Sequence, residues 1–182
     1  MNLRIAIAGW TGSGKSTIFR SLGGEPQPGV RGNTRSDSWP LVSVAVPDER
    51  LDWLSAHYRP RKHTPARIEF VDFPGLPRGE EKGKGEMLHA VRDTDALCLV
   101  TRGFRDEAYP RPEPDPAGDR EAFMEELIFS DFTALQNRHD RLEKAVKKPT
   151  AHRDRDLKEI ALIERCLPEL EEGRPIREVA MS

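Results

Sequence analysis

Cysteine is scarce in this chain of 182 residues: only Cys98 and Cys166 occur, far apart and without metal-ligand or redox spacing. Their scarcity excludes a disulfide scaffold and a thiolate zinc site, and it predicts a reduced, cytoplasmic protein. Long apolar runs are missing as well. The first apolar stretch, Leu3 to Ala8, has the length of a strand, so neither a signal peptide nor a membrane span is expected. An excess of one charge is equally absent: 29 Lys and Arg against 31 Asp and Glu give a formal net charge of -2. No global field therefore attracts nucleic acid, and the local tract Arg59-Pro60-Arg61-Lys62-His63 reads as solvated surface. With 33% charged and 36% hydrophobic residues, part of the chain is expected to be exposed helix outside any core. Cys98, inside the apolar run Ala96 to Val100, is expected to be a core thiol.

What the chain does have is a strand, a glycine loop and a helix in immediate succession. The run Ile5 to Ala8 leads into Gly9-Trp10-Thr11-Gly12-Ser13-Gly14-Lys15-Ser16-Thr17, and Ile18 to Leu22 follows as helix. The loop has the form G-x-x-x-x-G-K-S in the context a phosphate-binding loop requires. Glycines at 9, 12 and 14 let successive N–H groups turn inward as an anion cradle, and the helix adds its positive end. Lys15 supplies a point charge for the β- and γ-phosphates, and the Ser16 hydroxyl can ligate Mg²⁺. Thr17 is placed equally well as a helix-entry residue. The expected ligand is a nucleoside triphosphate.

Strand and helix patterns alternate along the first hundred residues. Strands are expected at Leu3–Ala8, Leu41–Val46, Arg67–Val71 and Ala96–Thr101. Helices are expected at Ser16–Leu22, Asp48–Tyr58 and Gly85–Arg92, with Trp53 as a core residue beside Leu51 and Leu54. The alternation predicts an α/β fold with a mainly parallel sheet and flanking helices. Glu25 to Pro40 reads as loop. Arg105 to Gly118, with four prolines, is expected to be a non-helical connector. Two amphipathic helices, Asp119–Lys148 and Asp154–Leu167, follow and read as an antiparallel hairpin. The domains are thus expected at residues 1–104, a connector at 105–118, a hairpin at 119–174 and a tail at 175–182.

A second phosphate motif stands at the end of the third strand, Asp72-Phe73-Pro74-Gly75-Leu76. An aspartate at a strand tip can hold Mg²⁺, and a glycine three residues on can offer its N–H to the γ-phosphate. Gly79, Lys82, Gly83, Lys84 and Gly85 follow closely, a glycine-dense stretch suited to a ligand-sensing switch. Small-molecule kinases share the first loop but lack this continuation. Leu76 stands where many regulatory GTPases carry a water-orienting glutamine, so hydrolysis is expected to be slow. The histidines at 57, 63, 89, 139 and 152 show no ligand spacing and read as surface.

Pro47-Asp48-Glu49-Arg50-Leu51-Asp52-x-Leu54, Glu69 to Leu76, Lys82-Gly83-x-Gly85, Val91-Arg92-x-Thr94-Asp95-Ala96 and Glu164 to Glu171 together resemble the Obg-like ATPases of the YchF type. The resemblance spans essentially the whole chain. It implies a P-loop NTPase G-domain with a helical hairpin inserted after the fourth strand, ATP or GTP as ligand, slow hydrolysis, and association with ribosomes or ribosomal RNA through the hairpin. The family's full chain continues into further strands, a base-reading motif and a C-terminal TGS domain, and this chain stops at Ser182 without them, so the G-domain is expected to be incomplete at its C-terminal side, as a fragment or as one piece of a split protein. The strand at Ala96 would then be an edge, open to self-association. Gly12 replaces the family's asparagine, no histidine occurs between Arg102 and Gly118, and Thr34 and Ser36 are the two candidates for the switch-one Mg²⁺ ligand.

The expected nucleotide contacts are Gly9, Gly12, Ser13, Gly14, Lys15, Ser16, Thr17 and Gly75, with Ser16 and Asp72 on Mg²⁺. Lys15, Asp72 and Gly75 are the residues expected to support hydrolysis, and no catalytic base is assigned. Three functions compete: a slow nucleotide-switched NTPase acting on translation, a non-catalytic interaction module in which nucleotide stabilises the fold, and a small-molecule kinase.

Overall fold

Four short apolar runs become the four strands of one sheet. In a computed structural model, which describes residues 3–24, 39–79, 84–105, 107, 113–147 and 152–179, these are β1 (Leu3–Ala8), β2 (Leu41–Ala45), β3 (Arg67–Asp72) and β4 (Ala96–Leu99). Their order is β2-β3-β1-β4. β1 runs parallel to both β3 and β4. Its residues Ala6, Ile7 and Ala8 are completely buried, as the central strand of a parallel sheet must be on both faces. The register sets Ile7 opposite Asp72 and Ala8 opposite Leu99. Three parallel strands therefore end level, and the loops leaving them gather at one edge of the sheet, where ligands of such folds bind.

The sheet is not wholly parallel. β2 is antiparallel to β3, from Leu41 opposite Val71 to Ala45 opposite Arg67. The chain returns between them through α2 (Glu49–Tyr58), which starts where the Asp48 carboxylate accepts the Arg50 N–H at 3.0 Å. No residue of α2 is buried. Trp53, expected in the core, is instead 62% exposed. The helix projects at the turn of a two-strand excursion, so its apolar spacing has no sheet face to cover.

α1 (Lys15–Ser21) places Phe19, fully buried, against Ile7 and Val100, with Leu22, Val42 and Phe70 at the margin of that cluster. α3 (Lys84–Val91) contributes the buried Met87, Leu88, Ala90 and Val91. β4 is the outer strand beside β1, and Cys98 on it is half-buried, so the expected core thiol sits at the sheet margin.

The chain divides into two compact units, residues 1–120 and 121–182. The second is built on α4 (Pro116–Ala145) and α5 (Arg153–Glu171). Arg138 pairs with Glu159 and His139 with Glu164, whereas Arg153 donates to the Val146 carbonyl, so the end of α4 meets the start of α5 and earlier residues of α4 meet later residues of α5. The two helices are thus an antiparallel hairpin. Its buried side chains include Phe123, Leu142, Ile163, Cys166 and Leu170.

Both helices depart from their expected bounds: α4 starts before Asp119 and ends at Ala145, short of Lys148, and α5 extends past Leu167. α4 starts at Pro116 because the Asp115 carboxylate accepts the Gly118 N–H at 3.0 Å and a proline suits the first helical position. The last residues of the expected connector are therefore helical. α5 runs through Pro168, which forgoes one backbone bond near the end, to a stop built on Gly173 at φ +77°. There the Gly173 N–H meets the Leu170 carbonyl and the Arg174 N–H meets the Glu169 carbonyl, satisfying two terminal acceptors.

Leu142→Ala should destabilise the hairpin by about 2–5 kcal/mol, the cost of a cavity at a buried leucine. Urea unfolding followed by far-ultraviolet circular dichroism checks it; an unchanged midpoint would show that Leu142 is not packed in the hairpin.

Candidate functional site

The loop after β1 is shaped by glycines at positions where other residues would strain or collide. Gly12 and Gly14 have φ of +78° and +99°. A Cβ on Gly9 would lie 2.3 Å from the Val100 carbonyl oxygen. The consequence is a row of donors. Among the described residues, the backbone N–H groups of Gly12, Gly14, Lys15 and Ser16 bond to no protein acceptor, while the Thr17 and Ile18 N–H groups already bond to the Gly14 carbonyl. Four unspent amides at a loop and helix start form the anion cradle that the motif predicts.

Lys15 closes the base of this cradle. Its side chain is buried, and its ammonium donates to the Trp10 carbonyl at 2.8 Å. Burial lowers its pKa to about 8, against an opposing pull from the Asp72 charge. Asp72, the last residue of β3, is buried beside it. Burial raises the Asp72 pKa, while Lys15, Ser16 and Arg20 oppose the rise. One carboxylate oxygen, Oδ2, accepts from the Ser16 hydroxyl at a long 3.4 Å; the other, Oδ1, is buried with no hydrogen-bond partner. An orphaned carboxylate oxygen next to a serine hydroxyl is a hard-oxygen pair of the kind that suits a divalent cation such as Mg²⁺. The Ser13 hydroxyl is a second buried group without a partner. The Thr17 side chain is exposed, as a helix-entry residue would be.

The second motif is tied to the first through backbone. The Leu76 N–H donates to the Gly9 carbonyl at 3.0 Å, and the Thr11 N–H donates to the Leu76 carbonyl at 3.1 Å. A Cβ on Gly75 would come within 2.4 Å of the Thr11 Cα, so only glycine admits this approach. Leu76 itself is fully buried. Lys84 and Gly85 begin α3, whereas Lys82, Gly83, Thr34 and Ser36 lie outside the described residues.

Several participants were not visible in the sequence. Trp10, inside the loop, is buried; its indole N–H donates to the Asp119 carbonyl at 2.8 Å, and the Arg78 guanidinium lies 4.6 Å from its ring centroid. Arg78 also pairs with the Asp119 carboxylate. Nothing local in the sequence marks Arg78 or Asp119 as partners of Trp10. Phe104, past β4, is 48% exposed, and its ring lies 3.8 Å from where a Gly14 Cβ would sit. The buried Arg102 fixes that turn by donating to the carbonyls of Phe104 and Glu113 at 3.2 and 3.1 Å.

The chain was compared with known families, proteins and structures. Residues 4–127 match the family described as 50S ribosome-binding GTPase. Obg-like ATPase 1 of Oryza sativa subsp. indica is 33% identical over 97% of this chain and 45% of that protein. The ribosome-binding ATPase YchF of Escherichia coli O157:H7 is 30% identical over 100% of this chain and 51% of its own length. The solved structure of the Schizosaccharomyces pombe YchF GTPase aligns with a TM-score of 0.74 at 31% identity, covering 100% of this chain and 50% of that one. The chain thus spans about half the length of the curated relatives it matches. Sharing their fold and carrying both phosphate motifs in sequence, it belongs to the 50S ribosome-binding GTPase family, and within that family it is similar to the Obg-like, YchF-type proteins.

Proposed function

We propose that this chain binds a purine nucleoside triphosphate, ATP or GTP, at the loop Gly9–Ser16, hydrolyses it slowly, and uses it as a switch for work on the ribosome. The observation that carries the binding step is the row of unspent N–H groups at Gly12, Gly14, Lys15 and Ser16 above a buried ammonium. Those donors are oriented before any ligand arrives, so the charge of a triphosphate meets them without reorganisation. Ser16 and Asp72 are the residues that would hold Mg²⁺, which when bound would neutralise phosphate charge. Phe104 offers a half-exposed ring beside Gly14 on which a purine base can stack.

Slow turnover follows from Leu76. Its side chain is wholly buried and apolar, so it neither orients nor deprotonates a water at the γ-phosphate. Ribosome association is supported by what the relatives are named for, and the hairpin is the element proposed to make the contact. The same Leu76 burial favours one competing reading, a nucleotide-stabilised interaction module with no hydrolysis. Phosphate release measured over hours decides between them.

Two outcomes are expected from calorimetric titration with Mg-ATP and Mg-GTP. Lys15→Ala should weaken binding by about a hundredfold or more, with an unchanged circular dichroism spectrum; retained affinity would overturn the site assignment. Affinity in the unaltered chain should also depend on pH. In the free protein Lys15 loses its proton near pH 8, and a bound phosphate favours the charged form. Binding is then strongest below pH 8 and weakens above it, by about tenfold between pH 7 and 9, with proton uptake visible as a dependence of the heat on buffer. A flat profile would show that the Lys15 ammonium does not meet the phosphates.

A further inference from the structure

α2 shares no residue with the candidate phosphate site, yet among the described residues of the first unit it carries the most exposed large aromatic side chains. Trp53 is 62% exposed and Tyr58 71%. Trp53 and His57, one turn apart, stack with ring centroids 5.1 Å apart and planes within 5°. His57 meets Tyr58 edge-on at 4.8 Å. The three rings form a continuous strip, bordered by an open groove of about 400 Å³ lined by Glu49, Arg50, Trp53 and Leu54.

The strip runs directly into Arg59-Pro60-Arg61-Lys62-His63, and every one of these residues is exposed. Arg59, Arg61 and Lys62 have no ion-pair partner among the described residues. The acidic groups nearby are largely engaged: Asp48 holds the Arg50 guanidinium at 3.0 Å, and Asp52 lies 3.5 Å from His63, leaving Glu49 at the far end of the helix. Exposed stacked rings next to three unneutralised cations are not what a solvated helix face needs. They are the two components of a single-strand platform, π-faces for bases and a cationic track for phosphates. A protein partner or a second copy of this chain would be favoured by apolar area without the cations, and a net charge of only -2 gives a second copy of the chain little acid to set against them.

We propose that α2 and the tract Arg59–Lys62 bind single-stranded RNA, with unpaired bases stacked on Trp53, His57 and Tyr58 and phosphates on Arg59, Arg61 and Lys62. The choice of RNA over DNA rests on the ribosome-linked function proposed above; the single-strand preference rests on the residues alone. The tract read from sequence as solvated surface thereby acquires a ligand.

The test is fluorescence anisotropy of a labelled oligouridine dodecamer with the full chain in the absence of nucleotide, so a failed phosphate site does not affect it. Trp53→Ala should weaken binding about fivefold or more, the scale of one lost base stack. Arg61→Ala combined with Lys62→Ala should weaken it and reduce the slope of log affinity against log salt by about 1.4, two single-strand phosphate contacts. Both variants alter exposed residues, and nucleotide binding should be unchanged in each. Absence of binding, insensitivity to both variants, or preference for duplex RNA would overturn the proposal. So would self-association that Trp53→Ala abolishes in a chain that ignores RNA. Equal affinity for the oligothymidine counterpart would overturn the assignment to RNA.

Discussion

Two backbone hydrogen bonds between the Gly9–Thr11 segment and Leu76 are the constraint on which the site's shape depends. The strands bring their ends level, but strand ends alone leave the loops beyond them free. Because Leu76 donates to Gly9 and accepts from Thr11, the first phosphate loop and the segment after Asp72 are laced together as a two-residue extension of the sheet. The lacing demands close approach, which is why Gly75 faces the Thr11 backbone with no room for a side chain. It also leaves the donors further along the loop unspent, since the loop's shape is secured elsewhere. The candidate site is in this sense a backbone structure, and most of the side chains around it hold that backbone in place.

The buried pair at its centre is held in tension. Lys15 and Asp72 each lose hydration, each has its charged form disfavoured by burial, and each is partly rescued by the other. Neither is fully satisfied by protein: Lys15 leans on a neutral carbonyl, and one oxygen of Asp72 has no donor. Such a pair is costly in an isolated fold and becomes favourable when an anion and a cation arrive together. Selection for stability alone would replace it with packed apolar residues.

The sequence exposed the site and the sheet unequally. The loop Gly9–Ser16 and the pair Asp72, Gly75 were legible because their chemistry is compressed into short spacings that few other structures require. The four strands and the hairpin were legible because their periodicity is strong. The antiparallel direction of β2 was not, since nothing in Leu41–Ala45 encodes which way its neighbour runs. Trp53 was misplaced for a related reason: the spacing of Leu51, Trp53 and Leu54 says that a face is apolar, not that anything covers it. The start of α4 differs from the expected Asp119 because Pro116 opens the helix instead of belonging to a connector, and α5 continues beyond Leu167 because a helix end absorbs Pro168. Arg78 and Asp119, which meet around Trp10, are far apart in sequence, and no local pattern couples them.

Trp10 gives the molecule an optical property as well as a packing one. Its indole is sealed from water, bonded at nitrogen and capped by a guanidinium on the segment that follows Gly75. Indole emission responds to each of these surroundings, and a nearby cation shifts and quenches it. Any rearrangement that lifts Arg78 from the ring would change the colour and intensity of this one chromophore. The loop after β1 thus contains its own spectroscopic reporter, placed to register motion in the neighbouring segment without a label.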